Sequence, residues 1–276
     1  ELNTIAGNLG AEYRVSPKFS FSAGVRYNET EYQTYKDRLA DRETTSFPLN
    51  IYYELTPKLD LILGYTYSTT DIEGTSKSFF SPVNGLTDVI QSGYEKDTHF
   101  YNVGLRGNIL TKLTGSFKIG YRTISNDDST ISTTTFTANA PTTATSSTDR
   151  DDSGMLGLDA NLTWMATTKL LVQLALSRDF GAGGEGESSE ITRANLVGNY
   201  SFNTNWSAMA NLGYTETDYP DDGRDEEQLT GGLRFNYVLN TYWRFSAGYT
   251  YTDNNSSRAN SNYDNNSLDL TAILRY

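Results

Sequence analysis

The chain has no cysteine and a single histidine, His99, among its 276 residues. A disulfide framework, a thiolate zinc site and a thiol nucleophile are therefore excluded, as is a histidine-rich metal centre. No apolar run reaches the ~18 residues that a membrane-crossing helix requires, and mean hydropathy is −0.54. Basic residues are also short: 22 Lys and Arg against 34 Asp and Glu leave a formal net charge of −12. That balance disfavours a nucleic-acid binder, which needs a basic face. No Gly-x-Ser-x-Gly elbow occurs, and Gly181-Ala-Gly-Gly184 lacks the lysine and helix of a phosphate loop. What remains is rich in Tyr, Thr, Asn and Gly. Its 13% of aromatic residues argue against disorder, which is poor in aromatics.

The dominant pattern has a period of two. In 113–123, Leu113, Phe117, Ile119 and Tyr121 share one face, with Thr114, Ser116, Lys118 and Arg122 on the other. Leu59, Leu61, Leu63, Tyr65 and Tyr67 likewise oppose Asp60, Gly64 and Thr66. Trp243, Phe245, Ala247, Tyr249 and Tyr251 oppose Arg244, Ser246, Gly248 and Thr250. Strict alternation is the mark of a strand with one apolar and one polar face. Short turns rich in Pro, Asn and Thr link such strands in pairs, as at Val15-Ser-Pro-Lys18, Leu55-Thr-Pro-Lys58 and Leu239-Asn-Thr-Tyr242. Pro presets φ and Asn tolerates unusual φ, so both favour turns. Longer polar loops separate the pairs, the longest at 72–96 and 127–152, the second a low-complexity Ser/Thr/Asp segment.

These spacings predict an all-β chain of about thirteen long strands and favour a membrane barrel over a soluble sandwich or propeller. Soluble strands average about five or six residues, whereas about 9–11 are needed to cross a bilayer at a tilt. Short turns alternating with long loops fit an outer-membrane barrel. Aromatics fall in two bands. Trp164, Phe202, Trp206, Tyr237, Tyr242 and Trp243 lie beside short turns, while Tyr65, Tyr67, Tyr121, Tyr214, Tyr249 and Tyr251 lie toward the long loops. Such bands match two interfacial girdles. In a barrel the polar face lines the lumen; in a soluble sandwich it would be the outer surface. The lumen-lining candidates are Arg26, Glu54, Asp60, Arg106, Lys118, Arg122, Asp159, Arg193, Arg234, Arg244 and Asp269. Glu12 and Arg275 follow by the same parity.

The chain closes on Ser-Leu-Asp-Leu-Thr-Ala-Ile-Leu-Arg-Tyr over 267–276, with Leu268, Leu270, Ala272, Leu274 and Tyr276 alternating. This resembles the terminal strand of Gram-negative outer-membrane β-barrel proteins. The resemblance implies a transmembrane antiparallel up-and-down barrel in the bacterial outer membrane, in contact with outer-membrane lipid and lipopolysaccharide. It also implies an assembly signal, Leu268, Leu270, Leu274 and Tyr276, recognised by the barrel-assembly machinery. Residues 1–276 then form a single barrel domain. Counted back from the last strand, the first runs inward from the cell surface. Single-chain bacterial barrels have an even strand number, so the expectation is one or more further N-terminal strands and about 14 or more in the complete protein.

The Thr-Pro-Lys turns and the Gly-Tyr-x-Tyr strands at Gly64–Tyr67 and Gly248–Tyr251 further resemble the β-barrel porins found with exopolysaccharide export systems. That resemblance implies a porin-like channel or export conduit for small polar solutes or glycans, with export-system partners, no cofactor and no catalysis. The alternative is a structural or interaction barrel with a plugged lumen and partner-binding loops. His99 with Asp97 is the one catalytic pair to weigh, and an interfacial polar role outweighs it. Acidic loop clusters such as Asp127-Asp128 and Asp221-Asp222 lack the Asp-x-Asp-x-Asp-Gly order of a calcium loop and read as solvated. An interior lined by small polar residues, with basic side chains in slight excess, suits anions and sugar hydroxyls. Tyr52 offers a stacking surface. The competing expectation is an interior closed by salt bridges.

Overall fold

The computed structural model describes residues 2–81, 85–136, 140–148, 152–184, 187–220 and 223–275. Its strands, in chain order, are β1 (Leu2–Arg14), β2 (Phe19–Tyr32), β3 (Arg42–Thr56), β4 (Leu59–Ile72), β5 (Thr75–Ser81) and β6 (Gly85–Gln91). There follow β7 (Tyr94–Leu110), β8 (Leu113–Asn126), β9 (Ser129–Phe136), β10 (Pro141–Thr148), β11 (Ser153–Met165) and β12 (Leu170–Ala182). The last are β13 (Ser188–Ser201), β14 (Trp206–Tyr219), β15 (Arg224–Val238), β16 (Trp243–Ser256) and β17 (Tyr263–Leu274). A 13-stranded antiparallel sheet runs β1-β2-β3-β4-β7-β8-β11-β12-β13-β14-β15-β16-β17, with β1 and β17 at its edges. Each strand pairs with its sequence neighbour except where a hairpin intervenes. This is the meander expected from the alternation.

Cross-strand partners share a face, so the register fixes both faces of the sheet. One row runs Tyr52, Ile62, Gly104, Lys118, Asp159, Ser177, Arg193, Thr215, Gln228 and Asn254. This is the inner face, where the buried side chains of β3, β4 and β7 collect. Leu61, Leu63, Leu156, Leu212, Leu233 and Leu270 stand on the other face and are exposed. An exposed apolar band over the whole sheet is what a lipid-facing surface requires.

Two departures from the alternation have local causes. The inner face is not uniformly polar: Ile62, Phe100, Ile124 and Met155 sit on it and are buried. The two longest segments between strand pairs are not irregular loops. They hold the hairpins β5–β6 and β9–β10, which combine as a separate 4-stranded sheet in the order β10-β9-β6-β5. β-Branched threonine favours extended backbone, and the hydroxyls form rungs: Ser132 with Thr145 at 3.2 Å and Thr134 with Thr143 at 2.9 Å. The turns at the opposite end stay short. On β7, Gly107 has φ +112, and a Cβ there would collide with the Lys58 carbonyl of the β3–β4 turn. That close approach lets the Asn108 amide donate to the same carbonyl at 2.7 Å, and a register shift follows between Asn108 and Leu110. Only glycine fits such a bulge.

Candidate functional site

All eleven residues assigned to the polar face lie on the inner face. Arg26 is opposite Ser46, Glu54 opposite Asp60, Asp60 opposite Arg106, and Lys118 opposite Asp159. Arg122 is opposite Phe100, Arg193 opposite Ser177, Arg234 opposite Gly248, Gly248 opposite Asp269, and Arg244 opposite Val238. They do not form one cluster. The structure divides them into three groups along the strands and across the sheet.

Near the short turns, Arg106 is the hub. Its Nε donates to Asp60 Oδ2 at 2.9 Å, while Nη1 and Nη2 donate to the two Glu12 oxygens at 2.8 and 2.6 Å. The bidentate fork is the strong form of an Arg–carboxylate pair. It also bends the sheet, because β2, β3 and β4 lie between β1 and β7. The Arg106 guanidinium covers the Tyr52 ring at 3.3 Å. Tyr52 is thus not an open stacking surface: one ring face is already taken by a cation, and its hydroxyl meets Ser22 at 3.1 Å. Glu54 pairs with Arg14 at 3.5 Å.

Midway along the strands, Lys118 Nζ donates to Asn50 Oδ1 at 3.1 Å, crossing over β4 and β7. Toward the long loops, Arg122 pairs with Asp179 at 3.0 Å and lies 3.7 Å above the Phe100 ring. Here the inner walls meet. Arg42 Nη1 on β3 donates to the Ala182 carbonyl at 2.6 Å, and Lys96 Nζ on β7 donates to the Gly181 carbonyl at 2.5 Å. The Ala40 amide donates to Gly184 O at 3.0 Å, and Ala40, Ile72 and Tyr94 pack with Ala182 beneath. On the 33–41 connection outside the strands, a hydrogen bond to Asp41 holds Lys36 above the ordinary lysine range, Glu31 adding to it.

The third group is sparse. Arg234 pairs with Asp269 at 3.1 Å, on the next strand but one. Arg26, Arg193 and Arg244 make no ion pair among the described residues. Arg42, Lys96, Asp179 and Phe100 escaped the sequence reading of the inner face. Lys96 and Phe100 share the even parity of Arg106 on β7, and that parity was the available signal.

His99 and Asp97 fall on the outer face. Tyr65 Oη meets His99 Nδ1 at 2.9 Å, and Tyr67 Oη donates to Asp97 at 2.7 Å. Tyr101 packs on Tyr65 at 5.1 Å, so the histidine sits in an aromatic band. The band at the short-turn end includes Trp206 against Tyr237 at 4.5 Å. Leu268, Leu270 and Leu274 are exposed on the outer face of edge strand β17; Tyr276 lies outside the described residues, as do Asp221 and Asp222.

Comparison with known proteins gives two family matches. The family described as Putative beta-barrel porin 2 matches residues 84–276, and the Outer membrane protein beta-barrel domain matches residues 3–142. No curated protein matches the chain. Among solved structures, the ferric yersiniabactin uptake receptor FyuA from Yersinia pestis superposes with a TM-score of 0.53 at 9% identity, over 94% of this chain and 43% of the receptor. The CymD monoaromatic hydrocarbon channel gives 0.48 at 11% identity, over 100% of this chain and 86% of the channel. The toluene transporter TbuX from Ralstonia pickettii gives 0.41 at 12%, over 98% of this chain and 81% of the transporter. The likeness to the receptor shows a shared fold, and the chain spans less than half of that receptor's length.

Proposed function

The chain belongs to the outer-membrane barrel family described as Putative beta-barrel porin 2, which supports a channel-like role, and from that premise we propose a water-filled passage for small polar solutes or glycans. Short turns face the periplasm in such barrels, and the second sheet then stands at the cell surface. The observation that carries the reading is the inner face itself. Across β14–β17 it presents Ser207, Asn211, Gly213, Gly232, Ser246, Gly248 and Thr271, small polar groups and glycines, with the Asn211 and Asp269 side chains lying over Gly232 and Gly248. Hydroxyl and amide groups exchange hydrogen bonds with sugar hydroxyls, and Arg26, Arg193 and Arg244 add a positive bias. The role as an exopolysaccharide export conduit with export-system partners belongs to the same proposal.

Planar-bilayer recording on the full-length protein tests it. Stable conductance with a reversal potential favouring anions slightly is the expected result; no conductance from the folded barrel, or strong cation preference, overturns it. The alternative of a plugged interaction barrel draws on one observation, the bonds that span the inner face from Arg42 and Lys96 to β12. It requires a folded, membrane-inserted protein that passes no current.

A further inference from the structure

We propose that a cavity of about 320 Å³ on the inner face, toward the long loops, binds a carboxylate-bearing, hydroxyl-rich solute of about one sugar-acid ring. The proposal rests on the reading of this chain as a passage and adds the class of solute that pauses in it. The cavity lies between two walls. One is built from β3, β4 and β7 and carries Thr44, Ser46, Ser68, Thr70 and Thr98; the other, from β12 and β13, carries Arg193. The volume is at the lower end of the ~300–1,000 Å³ typical of small-molecule sites.

The first wall is ordered for hydroxyl recognition. Thr44 Oγ1 and Thr70 Oγ1 are 3.1 Å apart, and Ser68 Oγ donates to Ser46 Oγ at 2.9 Å. Each hydroxyl is one donor and a double acceptor, so these paired groups keep capacity for a polyol. Their register holds them in rows, Ser46 opposite Ser68 and Ser68 opposite Thr98, at strand spacing.

The charges point to a carboxylate. Asp179 is the acidic side chain in the described lining, and it is committed to Arg122 at 3.0 Å. Arg42 gives Nη1 to the neutral Ala182 carbonyl, which cancels none of its charge. Neither Arg42 nor Arg193 makes an ion pair among the described residues. Two guanidiniums and a hydroxyl wall around one water-accessible space lack an anion to complete them. A planar carboxylate matches the guanidinium fork bidentately.

Calorimetric titration of the full-length protein in detergent, with sodium glucuronate, glucose and sodium acetate as probes, tests the site. Glucuronate is expected to bind at least about tenfold more tightly than glucose, because the charge-assisted bonds are absent from the neutral sugar. Acetate is expected to be weaker than glucuronate, since it cannot use the hydroxyl wall. Arg193→Gln with Arg42→Gln should bring glucuronate down to the level of glucose, and Arg193→Lys should retain part of the preference. Equal binding of glucuronate and glucose by the unmodified protein overturns the proposal whether or not the variants fold. Acetate binding as tightly as glucuronate overturns the hydroxyl part of it. Bilayer recording on the same preparation separates the two readings. Glucuronate binding without conductance would end the passage and keep the site; conductance without glucuronate binding would end the site and keep the passage.

Discussion

The two flanks of the sheet use the same strand pattern and end with different interiors. From β1 to β12 the inner face closes on itself. Arg106 reaches from β7 to Glu12 on β1, Lys118 from β8 to Asn50 on β3, and Arg42 from β3 to the end of β12. Ile62 at 1% exposure and Phe100 at 3% are buried on this flank, Phe100 under the Arg122 guanidinium. From β13 to β17 the ion pair Arg234–Asp269 reaches only across β16, and the middle of the inner wall is set with small residues. The difference follows from side-chain length. Long Arg, Lys, Tyr and Phe side chains on the inner face find partners across the curve, whereas Gly, Ser and Thr cannot reach. A passage would therefore run along the β13–β17 wall, with the other flank acting as its fixed side.

The largest effect should come from the property the flanks share. Leu61→Arg on β4 and Leu233→Arg on β15 each place a charge on the apolar outer face and should cost about 2–4 kcal/mol near the bilayer midplane. Ser116→Arg and Ser246→Arg, on the inner face, should be tolerated because the guanidinium keeps its water. Reversible unfolding in lipid vesicles measures all four, and equal cost on the two faces would break the face assignment for both flanks.

A smaller effect separates the flanks. Ile62→Ala empties a fully buried site and should cost about 2 kcal/mol, the lower end for such truncations. Met209→Ala, on the half-exposed inner face of β14, should fall within about 0.5 kcal/mol. Urea titration compares them, and similar values would show that the β1–β12 interior is no better packed than the other.

Removing the hubs should rank the same way at lower cost. Arg106→Ala strands Glu12 and Asp60 together and should cost about 1–2 kcal/mol. Arg234→Ala breaks one partly exposed pair and should cost less than about 1 kcal/mol. The smallest change is electrical. Arg122→Glu with Arg244→Glu should shift the reversal potential toward cations, Arg244→Glu contributing the larger part, because Arg244 is exposed on the inner face and Arg122 is buried. A larger shift from Arg122→Glu alone would move the constriction to the curled flank.

Much of this was legible in the residues. Parity along each strand put all eleven candidates, from Arg26 to Asp269, on one face of the sheet, as the register has them, because a two-residue period leaves only two faces. It also put His99 and Asp97 on one face, which the structure shows to be the outer, aromatic one. The Ser/Thr-rich 127–152 segment was misread as loop. Its strands gain their order from pairing with each other and with β6, a partnership that no local pattern announces. Tyr52 was assigned to the inner face, but its ring was taken to be free, since nothing near it in the chain reveals Arg106 above it.

The alternation of apolar and polar residues, the short Pro- and Asn-bearing turns and the two aromatic bands determined by themselves an antiparallel sheet with a lipid face and a polar face. These are local properties, set by backbone geometry and the transfer of each side chain between water and lipid. Curvature is different. Whether β7 meets β1 and β3 meets β12 depends on contacts between residues some 90 to 140 positions apart, such as Arg106 with Glu12 and Arg42 with Ala182, at separations of 94 and 140. Only the tertiary structure could decide which arginines are neutralised by such contacts and which, like Arg193, are left facing open space.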